Sequence, residues 1–182
     1  GWSRKRFEVL REALPAMGGA INHRGPDDGG QWLDADAGIA IAHRRLAIID
    51  LSTAGHQPMH SSSKRWVIAY NGEIYNHRTI RSQSPHYPWN TRGDSESILS
   101  LLHSAKSNSN DALTARQHAR WLSQLNGMYA IALWDAEAKQ LILARDPMGI
   151  KPLVRTQVDG SLLFASETKA LRAHESYTPA LD

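Results

Sequence analysis

The chain has 182 residues, 41% of them hydrophobic and 21% charged, with a formal net charge of +3 and no cysteine. That is the composition of an ordinary globular protein with room for a proper core, and it excludes disulfides and thiolate metal sites. No apolar run has the length of a membrane span, no signal-peptide core is present, and no basic block exceeds Arg4-Lys5-Arg6. The expectation is therefore a cytoplasmic protein with neither membrane nor nucleic acid as partner. The first residue is Gly1 rather than methionine, so a processed product or a piece of a longer chain is expected.

Phe7, Leu10, Leu14, Met17 and Ile21 recur at helical spacing and predict a helix with one apolar face. Pro15 lies inside that pattern and should kink the helix or end it early. The run His23-Arg24-Gly25-Pro26-Asp27-Asp28-Gly29-Gly30 is a loop by composition. Gln31 to Leu33 reads as a brief strand, followed by a turn over Asp34 to Gly38. Ile39 to Ala42 reads as a strand, and Leu46 to Leu51 as another or as its continuation. His43, Arg44 and Arg45 interrupt that apolar stretch. An Arg there is either a solvated surface group or aimed into a pocket, where its planar fork suits a carboxylate. Thr53 to Ser63 is a polar loop whose His56 and His60 are expected to be solvated, since nothing has metal-ligand spacing.

Trp66 to Tyr70 reads as a buried strand ending at Asn71-Gly72. Two readings of that dipeptide stand side by side. One is a hairpin turn, with Gly72 at positive φ. The other is a pair of donors, the Asn71 amide and the Gly72 N–H, able to hold a developing oxyanion. Asn76 is expected to cap a helix beginning at His77. Asp94 is expected to cap a helix over Ser95 to Leu102, with Ile98, Leu101 and Leu102 inward; binding of an ammonium group is the rarer alternative. Lys106 to Asp111 reads as a loop, and Ala112 to Leu125 as a helix. Met128 to Trp134 and Gln140 to Ala144 read as a hairpin. So do Leu153 to Gln157 and Ser161 to Ala165 around Asp159-Gly160, and Ser166 is expected to cap a last helix to Ala173. Antiparallel strands with separately grouped helices argue an α+β fold.

Six segments in order resemble the glutamine amidotransferase domain of the asparagine synthetases. They are the runs 23–28, 42–52, 71–76 (Asn-Gly-Glu-Ile-Tyr-Asn), 125–135, 143–153 and 164–171. Virtually the whole chain takes part. The resemblance implies an N-terminal-nucleophile hydrolase fold, a four-layer αββα sandwich of two antiparallel sheets in a single domain, residues 1–182. It implies that Arg45 binds the α-carboxylate of L-glutamine and that Leu46, Ala47, Ile48 and Ile49 line the same site through their backbone. Asn71 and Gly72 would form the oxyanion hole, Glu73 would lie beside the substrate, and Asp94 would take the α-ammonium.

The family's nucleophile is a cysteine at the start of the mature chain, whose own amino group acts as base. This sequence has none; Gly1 has no side chain, and Ser3 would need a further cleavage to free its amine. The expectation is a chain lacking the first strand, with an open edge or gap in a sheet, and unable by itself to hydrolyse glutamine. No metal or cofactor is implied in this domain, while Mg-ATP is expected in a downstream synthetase domain that amidates aspartate. A homodimer stays open. The competing reading is a catalytically dead amidotransferase-like module that serves as scaffold or ligand-binding unit, as in β-lactam-synthetase-like relatives.

Overall fold

The computed structural model describes residues 4–105 and 112–179, the side chains of residues 4–6 excepted. The predicted loop over Lys106 to Asp111 and the side chains of the Arg4-Lys5-Arg6 run lie outside what is described. The chain divides into two compact units, residues 1–47, 56–58 and 152–182, and residues 48–55 and 59–151.

In the first unit, helix α1 (Arg4–Ala20) is followed by strands β1 (Asp28–Asp34) and β2 (Ile39–Arg45), and later by β7 (Val154–Val158), β8 (Ser161–Ala165) and α5 (Thr168–Leu171). Helix α1 runs through Pro15 and does not end early there. Pro15 is on the exposed side while Phe7 and Leu14 are buried, so the carbonyl that loses its N–H partner is free to be hydrated. The helix lies close to β2: a Cβ on Gly18 would come within 3.2 Å of the Ala42 Cβ. Two hairpins, β1–β2 and β7–β8, form separate two-stranded sheets among the described residues. Their turns carry left-handed residues, Gly38 at φ 69°, Asp159 at 51° and Gly160 at 75°, the chemistry tight hairpins require. Strand β2 is longer than predicted and absorbs His43, Arg44 and Arg45, whereas Leu46 to Leu51 is not a strand. Helix α5 starts after Glu167 rather than Ser166, without a side-chain cap.

The second unit is an antiparallel sheet of order β3-β4-β5-β6 with helices α2 to α4. Its strands are β3 (Met59–His60), β4 (Trp66–Ile74), β5 (Gly127–Asp135) and β6 (Gln140–Arg145); its helices are α2 (His77–Gln83), α3 (Ser95–Ala105) and α4 (Ala115–Leu122). Trp66, Ile68, Tyr70 and Ile74 alternate onto one face of β4. Tyr129, Ile131 and Leu133 do the same on β5. Ile80, Ile98, Leu99, Leu102 and Trp121 from the helices close over that face. Each buried Leu or Ile stabilises the unit by roughly 1.5–3 kcal/mol. Thr114 caps α4 with a reciprocal Gln117 box, so the helix starts three residues later than predicted. Arg65 and Asp135 form a buried two-bond ion pair at 2.9 and 2.7 Å that ties the start of β4 to the end of β5.

Strand β4 does not stop at Tyr70. Asn71, Gly72 and Glu73 continue it, opposite Ala130, Tyr129 and Met128, so the dipeptide is not a hairpin turn. Gly72 does not take a positive φ either. It is glycine because a Cβ there would lie 2.2 Å from the Met128 carbonyl oxygen and 2.8 Å from the Tyr129 Cα, both backbone atoms. Asn76 precedes α2 but makes no side-chain cap. Its amide instead donates to Gln124 O at 2.8 Å and accepts from Asn126 N at 2.9 Å.

Candidate functional site

The sequence-predicted residues fall in both units, and each group is built differently. In the second unit they gather at one edge of β4. Strand β3 pairs only with Val67 and Ile68, leaving the stretch beyond them without a neighbour on that side among the strands described. Which backbone groups face that edge follows from the far side of β5. Tyr129 exchanges both of its backbone bonds with Asp146: its N–H reaches Asp146 Oδ2 at 3.2 Å, and its carbonyl accepts from Asp146 N at 2.8 Å. Tyr129 therefore faces away from β4, and Gly72 opposite it is a non-hydrogen-bonded pair. The Gly72 N–H and C=O consequently point out of the open edge of β4, as does the N–H of Ile74 two residues on.

That second N–H is answered by Asp94. Its Oδ2 accepts from Ile74 N at 2.8 Å and from the Tyr70 hydroxyl at 2.7 Å. The predicted cap is thus realised only in part: the Asp94 carbonyl receives Ser97 N at 3.0 Å at the start of α3, but the side chain turns to β4 instead. Burial and the adjacent carboxylate push the Tyr70 hydroxyl far above its ordinary pKa, so it stays a proton donor. Along an extended strand the Gly72 and Ile74 positions lie about 7 Å apart, which spaces the Gly72 N–H from Asp94 by that order.

Asn71 projects onto the opposite face of β4 from Tyr70 and Ile74. Its Nδ2 is buried and has no hydrogen-bond partner. An orphaned buried donor costs about 1–3 kcal/mol unless a ligand answers it. Glu73 follows on the same face, half-buried.

Ile48 and Ile49 belong to the second unit and are exposed, Ile48 at 62%. Their loop is tied down by Asp50, whose Oδ1 accepts from Ser52 N and whose Oδ2 accepts from Arg92 N, each at 2.8 Å. Arg92 is two residues from Asp94, so one carboxylate links the loop to the segment that carries another.

In the first unit, Arg45 ends β2, and Leu46 and Ala47 follow it as irregular backbone. The 23–28 run is the clamp that shapes this segment. Gly25 lies so close to the chain that a Cβ would be 2.4 Å from Arg44 C and Arg45 N. Its carbonyl accepts from Arg44 Nε at 3.0 Å. Asp27 N donates to Arg45 O at 3.1 Å, and Asp27 Oδ2 accepts from Ala47 N at 2.9 Å. At the other end of the run, Arg24 and His23 reach Glu167 Oε1 at 2.8 and 3.1 Å. Asp28 Oδ2 lies 2.8 Å from His56 Nδ1, so His56 is half-exposed but partnered, not simply solvated. Burial raises the Asp28 pKa, but the bonds from His56 and Gly29 and the charges of His56 and Arg45 outweigh it and hold the carboxyl below its usual range. His43 is driven down to about 4, chiefly by burial, with Asp28 opposing and His56, Arg45 and Arg44 adding to the fall.

Among the described residues no three His, Cys, Asp or Glu side chains converge on a metal position, and no helix is long and apolar enough to cross a membrane. Sequence reasoning missed Tyr70 and Asp50 as partners of the candidate residues. Asp27 was inside a quoted motif, but its bond to Ala47 has no local signature.

Solved structures place the fold among the N-terminal-nucleophile amidotransferases. The glutamine phosphoribosylpyrophosphate amidotransferase from Bacillus subtilis, complexed with ADP and GMP, superposes with a TM-score of 0.60 at 27% identity, covering 74% of this chain and 29% of that one. The α+β class read from the sequence is thereby borne out. A family model described as a glutamine amidotransferase domain matches residues 2–182, and the chain belongs to that family. Among individual relatives, glutamine-hydrolyzing asparagine synthetase 2 of Bacillus subtilis strain 168 is 35% identical, over 92% of this chain and 20% of its own length. Asparagine synthetase B of Escherichia coli K12 is 37% identical, over 89% and 27%. Asparagine synthetase 2 of Arabidopsis thaliana is 37% identical, over 90% and 26%. The chain spans about a quarter of the length of these curated relatives.

Proposed function

We propose that this chain is the glutamine-binding part of an asparagine synthetase, in which the side-chain amide of L-glutamine is released as ammonia and passed to a synthetase portion that amidates aspartate with Mg-ATP. The observation that carries the reading is the buried, unanswered Asn71 Nδ2 beside a Gly72 N–H that faces the open strand edge. Attack on the amide carbonyl moves its π electrons onto oxygen, and that oxyanion needs two donors already in place. When the carbon–nitrogen bond breaks, a proton must reach the nitrogen so that ammonia leaves. Asp94, at the same edge of β4, supplies the negative charge for the α-ammonium of a free amino acid. Arg45 supplies the fork for its α-carboxylate; that role rests on the motif around it and on guanidinium chemistry. The names of the relatives, all glutamine-hydrolyzing asparagine synthetases, support the same substrate.

Binding without turnover, by an amidotransferase-like module that serves as scaffold or ligand-binding unit, is the second reading. Both readings require glutamine to bind. Calorimetric titration with L-glutamine should give saturable one-to-one binding, weak or absent for D-glutamine; no heat from folded protein overturns both. Glutamate release from protein carrying a cysteine-led N-terminal strand then separates them.

A further inference from the structure

We infer that Tyr70 is a positioning residue for the amino-acid ammonium group, acting through Asp94; this rests on the glutamine-binding reading above. A carboxylate oxygen has two lone-pair directions. Both directions of Asp94 Oδ2 are taken, one by the Tyr70 hydroxyl at 2.7 Å and one by Ile74 N at 2.8 Å. Oδ1 accepts no hydrogen bond from the described residues and is left as the oxygen that meets a cation. Tyr70 does not touch the ligand in this arrangement. It fixes the rotation of the carboxylate, so that one oxygen is committed to the strand and the other to the ammonium. The side chain is well placed for that: its ring is buried in the core of the second unit, on the face of β4 that the helices cover. A tyrosine anchored in this way loses little further rotamer freedom when ligand arrives, which is the physical content of preorganisation.

The chemistry is specific to the amino end of the ligand, and this makes it separable from a general loosening of the fold. Tyr70→Phe keeps the ring and deletes only the hydroxyl. L-glutamine and 4-carbamoylbutanoate, which is glutamine without its amino group, are the two probes, titrated calorimetrically against the protein and the variant. The wild-type protein should prefer L-glutamine. Tyr70→Phe should weaken L-glutamine by about tenfold, the scale of one charge-assisted hydrogen bond, and leave 4-carbamoylbutanoate unchanged. In an Asp94→Asn background, Tyr70→Phe should cost nothing further for L-glutamine. Equal weakening of both probes, no weakening of either, or a further loss in the Asp94→Asn background overturns the inference. Equal binding of the two probes by the wild-type protein overturns the assignment of Asp94 itself, and with it the reading beneath.

Discussion

Asp27 Oδ2 accepts the backbone N–H of Ala47 at 2.9 Å, and this one bond holds the irregular segment after β2 against the turn-rich run that precedes β1. Asp27 also donates its own N–H to the Arg45 carbonyl, so its two bonds flank Leu46 and hold the backbone on the C-terminal side of Arg45. A carboxylate so placed fixes where the guanidinium begins without touching a ligand itself. Asp27→Ala should therefore weaken L-glutamine by about tenfold, one charge-assisted hydrogen bond, with little change in thermal midpoint because Asp27 is exposed. Asp27→Asn, which keeps an acceptor oxygen, should restore most of the affinity. Calorimetry on the two variants checks both; equal loss in both means that the charge, not the bond, matters.

Gly72 makes a sharper case, because two properties of one residue are tested by one change. A methyl at this position meets the Met128 carbonyl oxygen at 2.2 Å, and backbone cannot swing aside as a side chain can. Gly72→Ala should force β4 from β5 at this point and cost about 1–3 kcal/mol or more. For a chain of this size that is several degrees in thermal midpoint, and glutamine binding should be lost with it. An unchanged midpoint would mean that the strands part freely there.

Acid should act on the first unit through His43. Its folded pKa is about 4 against an ordinary 6.5, so between those values the unfolded chain binds the proton and the folded chain does not. Stability attributable to His43 is fully present above about pH 6.5 and declines as pH falls toward 4. Asp28, held below its usual range, works in the same direction but at lower pH, its contribution going as its own folded carboxyl takes a proton. Urea midpoints from pH 7 to pH 4 should fall less steeply for His43→Gln than for the wild-type protein. Parallel curves would place the acid sensitivity elsewhere.

Local pattern was enough for most strands and helices because their apolar residues alternate or recur on one face. It was misleading where distant chain supplies the reason for a conformation. Asn71 and Gly72 are poor strand formers, and what keeps them extended is pairing with Tyr129 and Ala130, more than fifty residues on. Leu46 to Leu51 has the apolar content of a strand, yet Leu46 is 54% and Leu51 78% exposed, because Asp27 and Asp50 supply the bonds that a sheet would have given. Asp94 reads as a helix cap since the cap is a local event; its bonds to Tyr70 and Ile74 are tertiary. The candidate residues themselves were found by motif, but the donors and carboxylates that hold them were not.

The central claim is that Asn71 Nδ2 and the Gly72 N–H await a developing oxyanion. It is tested most directly by glutamate release from L-glutamine in protein carrying a cysteine-led N-terminal strand, compared with the same protein bearing Asn71→Ala. Loss of one oxyanion donor should lower turnover by about 10²–10³-fold while leaving the affinity for L-glutamine nearly unchanged. Unaltered turnover in a folded, glutamine-binding Asn71→Ala variant would contradict it.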